Sequence, residues 1–220
     1  MQPVIILFAK APIPGRVKTR LQPLLSPTEA AELHEAFVYD MIHRLQLFTV
    51  ASLELHTDIL SDAWAATGVA QRLQSEGGLQ LKMLHALKQA HLRGHSQALV
   101  AGTDAPTLPV AHLQQLLASL ADVALGPTED GGFYAIACRR THRAMFEDVE
   151  WSSPLTLEHT VRSIERAGLT VELGPRWFDV DEPPDLERLA ASAGLPDRTA
   201  RWFQQRKIKR QYPFAPHPTH

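Results

Sequence analysis

The sequence is poor in the features that mark secreted, membrane and nucleic-acid-binding proteins. Its 220 residues include a single cysteine, Cys138, so no internal disulfide can form and a reducing compartment is expected. No apolar run approaches the ~20 residues of a membrane-spanning helix, and the N-terminal apolar run is too short for a signal peptide. A net charge of -2 argues against a general polycation that binds nucleic acid. These absences predict a cytoplasmic protein with no membrane span and no nucleic-acid partner.

Common catalytic and metal-binding motifs are also missing. There is no His-Glu-x-x-His or Cys-x-x-Cys pattern, no Gly-x-Ser-x-Gly nucleophile elbow and no Walker A loop. Cys138 lies in an apolar strand pattern, which favours a core residue over a nucleophile. Any chemistry must therefore come from charged residues that the fold brings together.

Strand and helix patterns alternate along the chain. The apolar, β-branched run Val4–Ala9 is typical of a strand buried on both faces. Ser26-Pro27-Thr28-Glu29 has the form of a capping box and predicts a helix that continues to about Leu47. Further strands are predicted at 49–56, 97–101, 123–125, 133–138, 169–173 and 177–180, and further helices at 62–66, 79–92, 109–120, 154–167 and 184–193. The alternation predicts a single Rossmann-like α/β domain with a mostly parallel central sheet flanked by helices.

The composition changes near the C-terminus. Basic and aromatic residues at 201–210 precede three prolines and two histidines. We therefore expect the domain to span residues 1–195, and residues 196–220 to form a peripheral helix and a flexible tail. A basic contact with a partner is the alternative reading of that tail.

A local concentration of cations follows the first strand. Lys10, Arg16, Lys18 and Arg20 lie in a segment that two prolines stiffen and Gly15 turns. Ligands of open α/β sheets bind beyond the carboxyl ends of the strands, and Lys and Arg form charge-assisted hydrogen bonds with phosphate. The segment thus favours a polyphosphate site, with a solvated charged loop as the alternative. Arg16 and Lys18 are expected to face the ligand, with Lys10 next, whereas Arg20 is free to pair with an acid of the fold.

A carboxylate follows the strand predicted at 97–101. The chain continues there through Gly102 and Thr103 to Asp104. A carboxylate beside a nucleotide diphosphate usually needs a divalent cation between them. A metal or ribose role for Asp104 is favoured over the capping of the turn at 105–107.

A second acidic segment lies near the end of the domain. Asp179 and Asp181 are one residue apart, and in a strand they would share a face, where their repulsion favours a bound cation. The alternative assigns Asp181 or Glu182 to the cap of the following helix, whose first turn holds Asp185. We expect Asp181, with Asp179 as the second choice, to approach Asp104 at one edge of the sheet.

A third acidic segment, Glu129-Asp130-Gly131-Gly132, lies in a turn between two strands. Adjacent glycines allow a ligand to approach the backbone closely, and the carboxylate can accept hydrogen bonds from hydroxyl groups. Asp130, Gly131 and Gly132 are therefore candidates for binding a sugar or an acceptor. An ordinary hairpin turn is the alternative.

Together these segments resemble the selenodomain-associated transferase family, bacterial glycosyltransferase-like proteins with the nucleotide-diphospho-sugar transferase (GT-A) fold. The resemblance covers about residues 4–190 and is carried by the segments 8–21, 102–106, 125–127, 130–134, 151–153 and 179–186. It implies that the first loop holds the donor's phosphates and that Asp104 acts as the metal-binding acid. A looser similarity to cytidylyl- and guanylyltransferases of this fold implies Asp181 as a second metal ligand. The chain departs from the family at Ala105, often a cysteine, and at 77–83, where the family's acid and its arginine are absent.

The resulting hypothesis is an enzyme that transfers the sugar of a nucleoside-diphosphate sugar to an unknown small acceptor, with Mg²⁺ or Mn²⁺ as cofactor. Lys10, Gly15, Arg16, Lys18, Thr103 and Asp104 are the predicted nucleotide-binding residues, Asp104 and Asp181 the metal ligands, and Arg16, Lys18 and Asp130 the catalytic residues. The main alternative is a nucleotidyltransferase that uses a nucleoside triphosphate and releases pyrophosphate. A nucleotide-binding module without catalysis is the third reading.

Overall fold

The computed structural model describes residues 2–48 and 50–206, and its core is a seven-stranded sheet of order β3-β2-β1-β4-β6-β5-β7. The strands are β1 Val4–Ala9, β2 Ser52–Thr57, β3 Ala70–Leu73, β4 Ala98–Gly102, β5 Val123–Pro127, β6 Phe133–Cys138 and β7 Val171–Leu173. Only β6 pairs antiparallel, with β4 on one side and β5 on the other. The predicted fold class, an α/β domain with a mostly parallel sheet, is confirmed.

Helices cover both faces of this sheet. They are α1 Pro27–Gln46, α2 Leu79–Leu92, α3 Val110–Ala118, α4 Thr156–Arg166, α5 Pro183–Ala191 and α6 Asp197–Arg206, with short 3₁₀ helices at Thr19–Leu21 and Asp62–Thr67. Apolar residues of α1 and α3 pack on one face of the sheet, and those of α2 and α4 pack on the other. Strand β1 is therefore buried on both sides, which is why its sequence is apolar without alternation. No helix in the described residues is long and apolar enough to cross a membrane.

The first helix begins where the sequence predicts. The Ser26 hydroxyl accepts a hydrogen bond from the Glu29 amide, and the Glu29 carboxylate accepts one from the Ser26 amide, which completes the capping box. The helix positions the loop before it, because that loop packs through Leu21 and Leu25 against the helix's own first turns.

The last two helices lie against α1 in a third apolar cluster, which also holds Phe178 and Val180. Asp40 of α1 is buried and accepts hydrogen bonds from the amides of Arg198 and Thr199 at the start of α6. The division of the chain at residue 195 stays a prediction. The expected basic tail at 207–220 lies outside the described residues.

Two strand assignments differ from the sequence prediction. The strand predicted at 177–180 is wrong, since only Trp177 forms a bridge, with Thr128, while Phe178 and Val180 turn into the cluster under α1 and α5. Strand β3 is not predicted by the sequence, because a four-residue edge strand exposed along most of its length carries little apolar signal.

Candidate active site

Three segments meet at the carboxyl edge of the sheet. Strands β1 and β4 are parallel neighbours, and Phe8 lies opposite Gly102. Lys10 and Asp104 each come two residues after this pair, so both follow the carboxyl end of a strand. The Val180 amide donates a hydrogen bond of 2.9 Å to the Asp104 carbonyl. The segment at 178–182 is thereby held against the end of β4. Asp104 and Asp181 thus lie at one edge although 77 residues separate them.

Lys18 joins the two carboxylates. Its ammonium nitrogen lies 2.5 Å from Asp104 Oδ1 and 3.0 Å from Asp181 Oδ1, and it also donates to the Val180 carbonyl at 2.7 Å. The two carboxylate oxygens are therefore within about 5.5 Å of each other. The Lys18 side chain is only 4% exposed, whereas Asp104 and Asp181 are 46% and 39% exposed. The trio presents carboxylate to solvent and keeps the ammonium beneath it.

Lys18 and Asp104 shift each other's pKa values toward the charged forms. Burial alone would lower the pKa of Lys18, but the charges of Asp104 and Asp181 outweigh burial and raise it. Burial likewise acts to raise the pKa of Asp104, and the Lys18 ammonium outweighs it and lowers that pKa. With one ammonium and two carboxylates, the trio has a formal net charge of -1.

The backbone of the cationic loop is unusual at the same point. Lys18 has φ 47°, in the left-handed region that side chains other than glycine seldom adopt. Gly15 has φ 80°, and a Cβ there would meet no atom within 4 Å. The turn at Gly15 is thus open, and the strained residue is the one whose side chain binds both carboxylates. Such strain concentrates at functional sites.

The other cations of the loop are exposed. Lys10, Arg16 and Arg20 form no ion pair with the described residues, so Arg20 has no acid of the fold as its partner. The loop backbone is nonetheless anchored, because His34 Nε2 donates to the Lys10 carbonyl at 3.0 Å and Asp58 accepts from the Ala11 amide at 2.7 Å. The exposed Lys10 side chain can therefore bind an anion from a fixed backbone, and the exposed Arg16 side chain lies farther along the same loop.

His34 is a residue of the site that the sequence pattern does not predict. It is buried in α1, one turn after Ala30 on the apolar side of that helix. A polar residue on an otherwise apolar helix face was the available signal. Burial lowers the pKa of His34, which opposes a charged imidazole beneath Lys10.

Asp179 adds a further carboxylate to the site. Burial is the main cause that raises its pKa to about 6, and the charges of Asp130, Asp181 and Asp104 add to this effect. Four acids are thus close enough to interact, and among the described residues Lys18 is the buried cation that pairs with two of them. An unpaired acid in such a cluster is typical of a functional site rather than of a site built for stability.

The turn that contains Asp130 is held by its own contacts. Asp130 is exposed, and its Oδ1 accepts hydrogen bonds from the Thr128 hydroxyl and from the Gly132 amide. Gly131 has φ 92°, and a Cβ there would lie 2.0 Å from the Pro154 carbonyl oxygen. These glycines were expected to let a ligand approach the backbone closely. At Gly131 the backbone of Pro154 occupies that position instead.

A salt bridge connects this turn to the acidic segment. Arg188 of α5 donates to both oxygens of Glu129, at 2.5 and 2.9 Å, and its guanidinium lies 3.9 Å from the Phe178 ring centroid. Phe178 immediately precedes Asp179. Arg188 therefore links the Asp130 turn to the acidic segment. Thr103, at the end of β4, is buried.

Two carboxylates, Asp104 and Asp181, are the candidate ligands for a divalent cation. Among the described residues, no group of three or more His, Cys, Asp or Glu side chains could enclose a metal ion. The outer oxygens of Asp104 and Asp181 have no protein partner within that part of the chain, and both side chains are partly exposed. Mg²⁺ commonly takes one or two carboxylates and keeps several waters. Two partly exposed carboxylates match this donor set in number and chemistry.

Comparison with known proteins identifies a matching family and two relatives of about 30% identity. A family model described as "Uncharacterized protein conserved in bacteria (DUF2064)" matches residues 40–153. A 2-phospho-L-lactate guanylyltransferase from Haloarcula marismortui is 29% identical over 196 residues, which cover 88% of this chain and 89% of the relative. The crystal structure of a proposed nucleotide-diphospho-sugar transferase from Desulfovibrio desulfuricans G20 is 30% identical, with a TM-score of 0.84 over 96% of this chain and 99% of the other.

More distant structures share only the fold. A cytidylyltransferase from Leptospira borgpetersenii is 12% identical, with a TM-score of 0.56 over 98% of this chain and all of the other. The family model covers just over half of the chain, including Asp104 and Asp130, and the relatives extend the similarity to both ends of the site. The chain therefore belongs to the DUF2064 family, and it is a transferase.

Proposed function

We propose that this transferase is a nucleotidyltransferase, which moves a nucleoside monophosphate from a nucleoside triphosphate to a small acceptor that carries a phosphate. The observation that carries the proposal is the Lys18-bridged pair of Asp104 and Asp181 beside the free cations Lys10 and Arg16. The guanylyltransferase that spans 88% of the chain supports this chemistry over sugar transfer. Its name suggests GTP as donor and 2-phospho-L-lactate or a related phosphorylated acid as acceptor.

In this proposal an oxygen of the acceptor phosphate attacks the α-phosphorus of the triphosphate, the α–β bridging bond breaks, and pyrophosphate leaves. Lys10 and Arg16 bind the β- and γ-phosphates from the anchored loop and stabilise the charge that develops on the leaving pyrophosphate. Gly15 lets the loop turn without a side chain over the phosphates. Thr103, which directly follows β4, lies in the nucleotide pocket of this proposal.

Asp104 and Asp181 would hold a divalent cation, Mg²⁺ or Mn²⁺, through their outer oxygens. That ion would neutralise phosphate charge next to the carboxylates. The Asp130 turn with Gly131 and Gly132 would lie on the acceptor side, where the free Asp130 oxygen can accept a hydrogen bond from an acceptor hydroxyl.

Sugar transfer is the second candidate, because the structural relative of 30% identity is described as a proposed nucleotide-diphospho-sugar transferase. The same phosphate and metal sites would serve, and the resemblance to the selenodomain-associated transferases points the same way. The products separate the candidates, since sugar transfer releases a nucleoside diphosphate and nucleotidyl transfer releases pyrophosphate.

The test incubates the purified protein with each of the four nucleoside triphosphates, Mg²⁺ or Mn²⁺, and a panel of phosphorylated hydroxy acids that includes 2-phospho-L-lactate. Pyrophosphate release that depends on both acceptor and metal is the expected result. Asp104→Asn should lower the rate by at least about 100-fold, the scale seen when one group that stabilises transition-state charge is removed. Asp197→Asn, at an exposed acid on α6, is the matched control and should not change it. Nucleoside diphosphate release from a sugar nucleotide, without pyrophosphate from any triphosphate, would refute nucleotidyl transfer.

A further inference from the structure

The ammonium of Lys18 has no donor left for a ligand. An ammonium carries three N–H groups, and three protein oxygens lie within 3.0 Å of this one: Asp104 Oδ1, Asp181 Oδ1 and the Val180 carbonyl. The ring of Phe37 lies 5.6 Å from the same nitrogen and makes that side apolar. A phosphate contact by Lys18 would require one of these bonds to break.

The three bonds connect parts of the chain that are far apart in sequence. Lys18 is 162 residues from Val180 and 163 from Asp181, and it belongs to the loop that carries the free cations. The side chain therefore fixes the distance between the cationic loop and both candidate metal ligands. Without a cation at this point, two carboxylates would face each other at short range.

We propose that Lys18 is a built-in cation of the metal site, a positioning residue that binds the inner oxygens of Asp104 and Asp181 and leaves their outer oxygens for one divalent ion. The phosphates are then bound by Lys10 and Arg16, and not by Lys18. This role rests on the proposed function only in assuming that these carboxylates bind a divalent cation when a nucleotide is used.

The proposal predicts the effect of Lys18 on metal affinity in the absence of nucleotide. The trio has a net charge of -1, and Lys18→Met makes it -2 while keeping an unbranched side chain of similar length. Mn²⁺ binding to Lys18→Met, followed by electron paramagnetic resonance of the free ion, should be at least about tenfold tighter than to the wild type, since a unit charge acts strongly at contact distance in a partly buried site. A phosphate ligand would behave differently, because its removal would weaken nucleotide binding and leave Mn²⁺ binding unchanged.

Two matched variants complete the experiment. Arg16→Met removes a cation of the same loop that touches neither carboxylate, so its Mn²⁺ affinity should stay near that of the wild type. Lys18→Met combined with Asp181→Asn restores the net charge of -1 and should return Mn²⁺ affinity toward the wild-type value. An unchanged or weaker affinity in Lys18→Met would overturn the proposal.

Loss of folding in Lys18→Met also gives a decisive result. If the two carboxylates repel each other there, either millimolar Mn²⁺ or the added Asp181→Asn change should restore the folded state, measured by circular dichroism. Failure of both to do so would show that Lys18 has another structural role and would overturn the proposal. All of these measurements use the metal alone, so a chain that releases no pyrophosphate would refute the proposed function without changing their outcome.

Discussion

The carboxylate of Asp179 is expected to destabilise the folded protein at neutral pH. Its pKa rises from 3.8 to about 6 on folding, first because of burial and then because of repulsion from Asp130, Asp181 and Asp104. An acid with a raised pKa binds its proton more tightly in the folded chain than in the unfolded one. Asp179 therefore has little effect on stability well below pH 4, where both states bind the proton. Its destabilising effect grows as the pH rises from about 4 to about 6 and is constant at higher pH, where both states have lost the proton.

The size of this effect follows from the shift. About two pKa units, at 1.36 kcal/mol each, correspond to up to about 3 kcal/mol of lost stability at pH 8. At pH 5 the group is only partly ionised in the folded state, and the loss is about half as large. Asp179→Asn keeps the size of the side chain and removes the charge, so it should raise the free energy of unfolding by these amounts.

Urea unfolding at pH 8 and at pH 5, followed by tryptophan fluorescence, measures both values. For a protein of this size the gain at pH 8 corresponds to an increase in melting temperature of roughly 5 to 10 °C. Asp181→Asn is the matched control in the same segment, and it should be destabilising because Asp181 is paired with Lys18. If Asp179→Asn gained nothing at pH 8, or gained equally at both pH values, charge repulsion at Asp179 would be refuted.

Two further predictions concern the elements that hold the site. Gly131→Ala should lower the free energy of unfolding by about 3 kcal/mol or more, because the new Cβ meets the Pro154 carbonyl and the residue has a positive φ. Gly15→Ala, where φ is also positive but the space is open, should lower it by only about 1 kcal/mol. Equal losses of the two variants in urea unfolding would contradict this prediction. His34→Leu removes the donor to the Lys10 carbonyl and should weaken nucleoside triphosphate binding about tenfold by calorimetry, while His34→Gln keeps a donor and should retain most of the affinity. Wild-type affinity in both His34 variants would show that this hydrogen bond does not position the loop.

Local patterns in the sequence were sufficient for much of the fold. The uninterrupted apolar run of β1 signals burial on both faces, and the structure covers it with helices on both sides. Ser26 and Glu29 fix the start of α1 by contacts over only three residues. Edge strand β3 and the segment at 177–180 were misassigned because pairing at a sheet edge and docking under helices depend on distant neighbours.

Local patterns also predict part of the candidate site. Lys10 and Asp104 each follow the end of a strand, and the apolar runs before them locate both strand ends. Residues whose roles depend on neighbours elsewhere in the chain could not be assigned, including His34 under the Lys10 carbonyl and Arg188 on Glu129. Their signals in the sequence are single polar residues within helices, which most often have no functional role.

The sequence by itself determined that cations and carboxylates would gather at the carboxyl edge of a parallel sheet, because hydrophobic patterning sets the strands and the strands set the direction of the chain. Only the tertiary structure decided which of these charges are free. Lys18 and Arg16 are two residues apart in one loop, yet one is enclosed by oxygens from more than 80 residues away and the other is exposed. The physical reason is that burial and ion pairing are properties of packed surfaces, and the order of residues along a chain does not specify which surfaces meet.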